Sequence, residues 1–180
     1  MALTATIYNI DIDLADSDRG VYESLALRVA RHPSESEEFL LTRVLAYAVE
    51  YTEGIEFSRG LSDPDEPPIA VRDLTGGLRV WIDIGNPDAA RLHKASKAAP
   101  RVAVYTHKDM AQWIGRLAGE RIYRPEAIEL WAVDRAFLTA LGAKLERRMA
   151  FSLAVNDHEL YVAIGSDTLT GTLTRHALPS

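Results

Sequence analysis

Residues 3–13 alternate along the chain. Leu3, Ala5, Ile7, Asn9 and Asp11 fall on one side, Thr4, Thr6, Tyr8, Ile10 and Ile12 on the other, and this period of two predicts a strand. Asp16-Ser17-Asp18-Arg19-Gly20 supplies a turn, and Val21 to Val29 reads as the returning strand of a hairpin. Arg31-His32-Pro33-Ser34 breaks the alternation. Ser34 with Glu37 three residues later has the form of a capping box. The period then changes to that of a helix over 35–52, with Phe39, Leu40, Val44, Leu45, Tyr47 and Ala48 as its apolar stripe. Gly54 is the expected stop.

The segment from Phe57 to Pro68 is rich in Gly, Ser, Asp and Pro and reads as a loop. Beyond it the pattern becomes strand, helix, strand, helix, strand, helix. Leu78–Ile84 is an interior strand, and Asn86-Pro87-Asp88 opens a helix running to about Ala98 with proline in its first turn. Val102–Thr106 is a short buried strand, 109–118 a helix, Ile128–Val133 a strand, and Asp134 caps a helix to about Leu145. Such alternation favours parallel strands with helices across them. The tail differs: 150–155, 159–164 and 168–174 read as an antiparallel meander with turns at Asn156-Asp157 and Gly165-Ser166. No repeat or linker interrupts the pattern, so residues 1–180 are expected to form a single domain with one mixed sheet.

Composition narrows the chemistry. The chain has no cysteine, which removes disulfides, thiolate metal sites and cysteine nucleophiles. No apolar run approaches the roughly 18 residues of a membrane span. The acid-bearing, alternating N-terminus is unlike a signal peptide, and the expected location is cytoplasmic. The formal net charge is −6, so any phosphate-bearing partner would need a local basic patch or metal ions. HExxH, GxGxxG, Walker and G-x-S-x-G patterns are all missing.

Three carboxylates carry the candidate chemistry. Glu38 opens the first long helix, Asp65 lies in the Ser62-Asp63-Pro64-Asp65-Glu66-Pro67 loop, and Asp83 interrupts an apolar strand near its C-terminal end. A carboxylate in such a strand needs a cation, a donor or a metal, because burying it unpaired costs several kcal/mol. Open α/β sheets also place their sites at that end. The following helix carries Arg91, His93, Lys94 and Lys97. Lys94 lies about 10 Å along the axis from the helix start, within reach of the strand end for a lysine. Carboxylates with a lysine suit magnesium-assisted phosphodiester hydrolysis: Asp65 and Asp83 would ligate the metal and Lys94 would stabilise phosphate charge. A structural ion pair accounts for Asp83 and Lys94 as well. Solvation, or the helix dipole, accounts for Asp65 and Glu38. Arg59 is a phosphate ligand or the partner of a nearby acid, and His32 fixes the loop entering the first helix.

Several segments in register resemble the YaeQ family: Ala2 to Tyr8, Arg31 to Glu35, Phe57 to Ser62, Asp65-Glu66-Pro67, Trp81-Ile82-Asp83-Ile84-Gly85, Lys94-Ala95-Ser96 and Val104-Tyr105-Thr106. The resemblance spans most of the chain and is densest from 31 to 106. It implies a fold similar to the PD-(D/E)xK nucleases: a three-layer α/β/α, restriction-endonuclease-like core with a mixed sheet, an N-terminal hairpin and C-terminal antiparallel strands. By position it implies Glu38 as the helix acid, Asp65 as the isolated acid and Asp83 as the D/E of the motif. Gly85 stands where that motif has lysine, and Lys94 on the next helix is the matching cation, with Lys97 the other candidate. The resemblance thus implies possible magnesium and nucleic-acid partners. Two readings follow: a magnesium-dependent hydrolase, or a non-catalytic binding or regulatory protein with a degenerate nuclease-like cleft.

Overall fold

The computed structural model describes residues 4–58 and 65–178. The chain divides into two compact units, one of residues 1–49 and 133–173, the other of residues 50–132 and 174–180.

In the first unit β1 (Thr6–Asp16) and β2 (Val21–Arg31) form the expected hairpin, paired from Thr6 opposite Arg31 to Asp16 opposite Val21. Tyr8, Ile10, Ile12 and Leu14 are buried while Asp11 and Asp13 are exposed, so the period-two pattern does separate core from solvent. The α1 helix (Glu37–Val49) is shorter than the predicted 35–52 and is buried on nearly every side. Its cap is Ser36, whose Oγ accepts from Phe39 N at 3.1 Å, and not Ser34. Ser34 Oγ instead lies 2.7 Å from His32 Nδ1. Glu35 turns back to accept from His32 N and from Arg43 on α1, with both partners of that ion pair buried. The predicted capping box of Ser34 and Glu37 is thus not the cap: Ser34 and Glu35 close the loop, with His32 fixing it as expected.

The same unit contains α4 (Arg135–Gly142), the strands β8 (Arg148–Asn156) and β9 (Glu159–Ile164), and β10 (Asp167–His176) as far as Leu173. Asp134 caps α4 as predicted, accepting from Ala136 N and Phe137 N. The antiparallel meander is present. Its first strand also pairs in parallel with β1, from Asn9 beside Arg148 to Asp16 beside Val155, a long-range pairing that no local pattern announces.

The second unit holds β3 (Ile55–Phe57), β4 (Ile69–Arg72), β5 (Leu78–Ile84), β6 (Arg101–Thr106) and β7 (Glu129–Val133). Strands β5, β6 and β7 are parallel, while β3 and β4 add antiparallel pairs beside β5. The predicted loop therefore begins in one short strand and is followed by another that sequence analysis missed. Gly54 serves this edge and not the end of α1. It adopts φ +91°, its carbonyl accepts from Arg72 N, and a Cβ there would meet Arg72 O at 2.1 Å. The helices α2 (Ala89–Ala98) and α3 (Met110–Leu117) pack Leu92, Ala95, Trp113 and Leu117 against Trp81, Val102, Val104 and Leu130. Pro87 lies just outside α2, whose cap is Asp88. Among the described residues, no helix is long and apolar enough to cross a membrane.

Candidate functional site

The C-terminal end of β5 is held by its connection to α2. Gly85 turns the chain with φ +86° while its N–H donates to Tyr105 O at 2.9 Å. Thr106 Oγ1 bonds Asn86 Oδ1 at 2.8 Å, and Trp113 Nε1 donates to Pro87 O at 2.9 Å. Asp88 Oδ1 accepts from Arg91 N at 2.8 Å and starts the helix. Strand end and helix start are thus pinned within four residues.

Asp83 points to the α2 side of the sheet and is 3% exposed. Its Oδ2 accepts from Arg91 Nε at 2.7 Å and Trp81 Nε1 at 3.2 Å, and its Oδ1 accepts from Ile84 N at 3.1 Å. Arg91 also donates to the carbonyl of Glu66 at 3.0 Å and lies over the Trp81 ring, 5.3 Å from its centroid. One guanidinium therefore joins β5, α2 and the segment after Asp65. Such charge-assisted bonds are the strong class, and they satisfy a carboxylate that the apolar strand could not hold alone.

Lys94, the lysine expected to reach Asp83, ion pairs with Asp65, and both side chains are substantially exposed. The cation on Asp83 is Arg91, one helical turn nearer the strand end. Arg91 and Lys94 are three residues apart and so share a face of α2. The unit gathers Asp65, Asp83 and Lys94 around one stretch of that helix. Glu38 belongs to the first unit, exposed on the opening turn of α1, where its carbonyl accepts from Thr42 Oγ1 at 2.6 Å. Arg59 and Pro64, with the rest of 59–64, lie outside the described residues. Among the described residues, no three His, Asp or Glu side chains are grouped as they would be around a metal ion. Beside this stretch, a groove of about 800 Å³ opens between the start of α2 and α3, lined by Asp88, Lys108, Gln112, Arg116 and Glu120 among others.

A second polar cluster went unread in the sequence. Arg101, at the start of β6, binds Glu129 through Nε at 2.6 Å and Glu50 through Nη1 at 2.7 Å. Tyr105 donates its hydroxyl to Glu50 at 2.7 Å and stacks on Trp131 with centroids 6.4 Å apart. Burial, then the Glu50 carboxylate, pushes the Tyr105 hydroxyl well above its ordinary value. Burial also raises the Glu129 carboxyl, but the hydrogen bond and charge of Arg101 outweigh it and leave Glu129 below its ordinary value. The only local signal was a charged residue at the mouth of each of two parallel strands.

The fold and the Asp83–Arg91 pair define a class: a mixed α/β protein in which a buried carboxylate, paired with a partly buried guanidinium, closes the end of a parallel strand onto the next helix. The chain belongs to the YaeQ family, whose model, described as YaeQ protein, matches residues 1–173. The YaeQ proteins of Escherichia coli strain K12 and Salmonella typhi are 32% and 33% identical to it, with full coverage of both chains. The crystal structure of the YaeQ protein from Xanthomonas axonopodis pv. citri matches with a TM-score of 0.87 at 34% identity, covering 98% of this chain and 100% of that one. That from Pseudomonas syringae matches at 0.86 and 32% identity, covering 95% of each.

Proposed function

We propose that this chain is a non-catalytic binding or regulatory protein, cytoplasmic, whose core is a nuclease-like variant of the restriction-endonuclease arrangement with its centre closed by an internal ion pair. The observation that carries the reading is the occupancy of Asp83. Its two oxygens take three protein donors, and Arg91 supplies the positive charge that a divalent ion would otherwise bring. Magnesium favours oxygen ligands in near-octahedral array and keeps several waters. Asp83 offers little room for that while Arg91 holds Oδ2. The left-handed backbone at Gly85 further suits a turn and disfavours the lysine that the nuclease motif has at that position.

One observation favours the hydrolytic reading. Helix α2 sets Lys94 on Asp65 and Arg91 on Asp83 from a single face, gathering three of the four expected residues. In that reading Asp65 and Asp83 would hold magnesium, Lys94 would take phosphate charge, and Glu38 would be the helix acid, with Arg91 displaced from Asp83.

Calorimetric titration of magnesium into the wild type and Asp83→Asn separates the two. The binding reading expects no heat from either protein and no magnesium-dependent loss of an oligonucleotide. Heat from the wild type that disappears in Asp83→Asn, together with magnesium-dependent loss of the oligonucleotide, would establish the hydrolytic reading in its place.

A further inference from the structure

Between Asp88 and Asp109 the chain has no acidic residue but carries Arg91, Lys94, Lys97, Arg101 and Lys108. This is a basic stretch in an otherwise acidic protein. Its arginines 91 and 101 and its lysine 94 close ion pairs with carboxylates. Lys97 closes none among the described residues, and neither do Arg121 and Arg124.

Two of those cations lie over one exposed aromatic side chain, and Arg121 is two residues from it in the chain. Tyr123 is 39% exposed. Arg124 lies over its ring at 5.2 Å and Lys97 at 5.9 Å from the centroid. The backbone beneath the ring is fixed at both ends: Tyr123 N donates to His93 Nδ1 at 3.0 Å, and Tyr123 O accepts from Ser96 Oγ at 2.5 Å. Arg124 adopts φ +47°, which a side chain of that size rarely takes without cause. The result is an exposed ring whose backbone is bonded on both sides, with two cations over it that close no ion pair among the described residues.

We infer that this outer side of α2, centred on Tyr123, binds single-stranded nucleic acid. Lys97, Arg121 and Arg124 take phosphates, and the tyrosine ring stacks on an unpaired base. Charge complementarity selects a polyanion, and an exposed ring selects one whose bases are free to stack. Arg124 swings off the ring to a phosphate, or stacks on the base itself, as guanidinium groups do. The inference rests on the reading of the chain as a binding protein and names its partner. It uses none of Asp65, Asp83 or Glu38.

The test is fluorescence anisotropy with labelled oligo-dT and oligo-rU of about 15 nucleotides at about 50 mM salt. The variants are Tyr123→Ala, Tyr123→Phe, Lys97→Gln and Arg124→Gly, the last being free of backbone strain, and thermal melting checks that each is folded. Tyr123→Ala is expected to weaken binding about 5- to 100-fold, while Tyr123→Phe stays near wild type. The wild-type log–log salt slope should be about −2, and Arg124→Gly should reduce its size by about 0.7. The DNA and RNA arms decide which strand is preferred. Inorganic polyphosphate, which has no bases, should compete weakly. Absence of binding, or binding that polyphosphate matches and Tyr123→Ala leaves unchanged, overturns the inference. Magnesium-dependent cleavage of the bound strand would instead overturn the non-catalytic reading and leave the Tyr123 surface standing. Loss of binding with no magnesium heat would do the reverse.

Discussion

Arg91 Nε lies 2.7 Å from Asp83 Oδ2, so the one carboxylate inside the apolar β5 strand is neutralised by the helix that follows it. Breaking a buried pair from one side leaves an uncompensated charge and typically costs 3–5 kcal/mol. Arg91 is partly exposed, so Arg91→Met is expected to cost about 3 kcal/mol by urea denaturation. The Asp83→Asn, Arg91→Met double variant should be less destabilised than the sum of its singles, since no buried charge remains. Additive losses would show that the pair is uncoupled.

Helix α1 offers a choice between two serines. Ser36 Oγ accepts from Phe39 N, whereas Ser34 Oγ contacts His32. Ser36→Ala should therefore lower stability by about 1 kcal/mol and Ser34→Ala by much less. Equal losses in thermal or urea melts would mean that the predicted capping box forms in solution.

In the proposed nuclease-like reading, Gly85 stands where the motif would carry lysine. At φ +86° any residue with a Cβ is strained. Gly85→Lys should destabilise the protein by about 1–2 kcal/mol without conferring magnesium-dependent cleavage. A stable Gly85→Lys variant that cleaves an oligonucleotide would argue that only the lysine was missing.

Acid unfolding should report on Arg101. Glu129 sits below its ordinary carboxyl value of 4.5 because the Arg101 bond and charge outweigh the opposing effect of burial. A group whose folded pKa is depressed adds stability at neutral pH. That stability is lost as pH falls below the ordinary carboxyl value and through the folded one. Glu129→Gln should accordingly lower stability at pH 7 and flatten its decline on acidification. Glu35 acts in the opposite sense, since burial raises its carboxyl despite Arg43. Falling pH through its window therefore favours the folded state. Urea midpoints measured from neutrality to about pH 3 separate the two, because Glu129→Gln leaves the Glu35 contribution in place.

What the sequence by itself determined is local. Period-two alternation placed β1 and β2, and Asp134 was legible as a cap because its side chain bonds amides two and three residues away. The strand–helix alternation from Leu78 onward was readable because each element carries its own periodicity. The buried carboxylate was legible too, since Asp83 stands out against Trp81, Ile82 and Ile84. Its partner was not. Arg91 and Lys94 share a face of α2, and only packing of that helix on β5 brought the nearer cation to Asp83 and left Lys94 to Asp65. The parallel pairing of β1 with β8 joins residues far apart in the chain. The ring of Glu50, Arg101, Tyr105 and Glu129 likewise closes only when β6 and β7 align beside Glu50. Backbone periodicity and capping are short-range and leave a pattern in neighbouring residues. Charge pairing and strand order are set by which surfaces bury each other, so tertiary structure alone decided them.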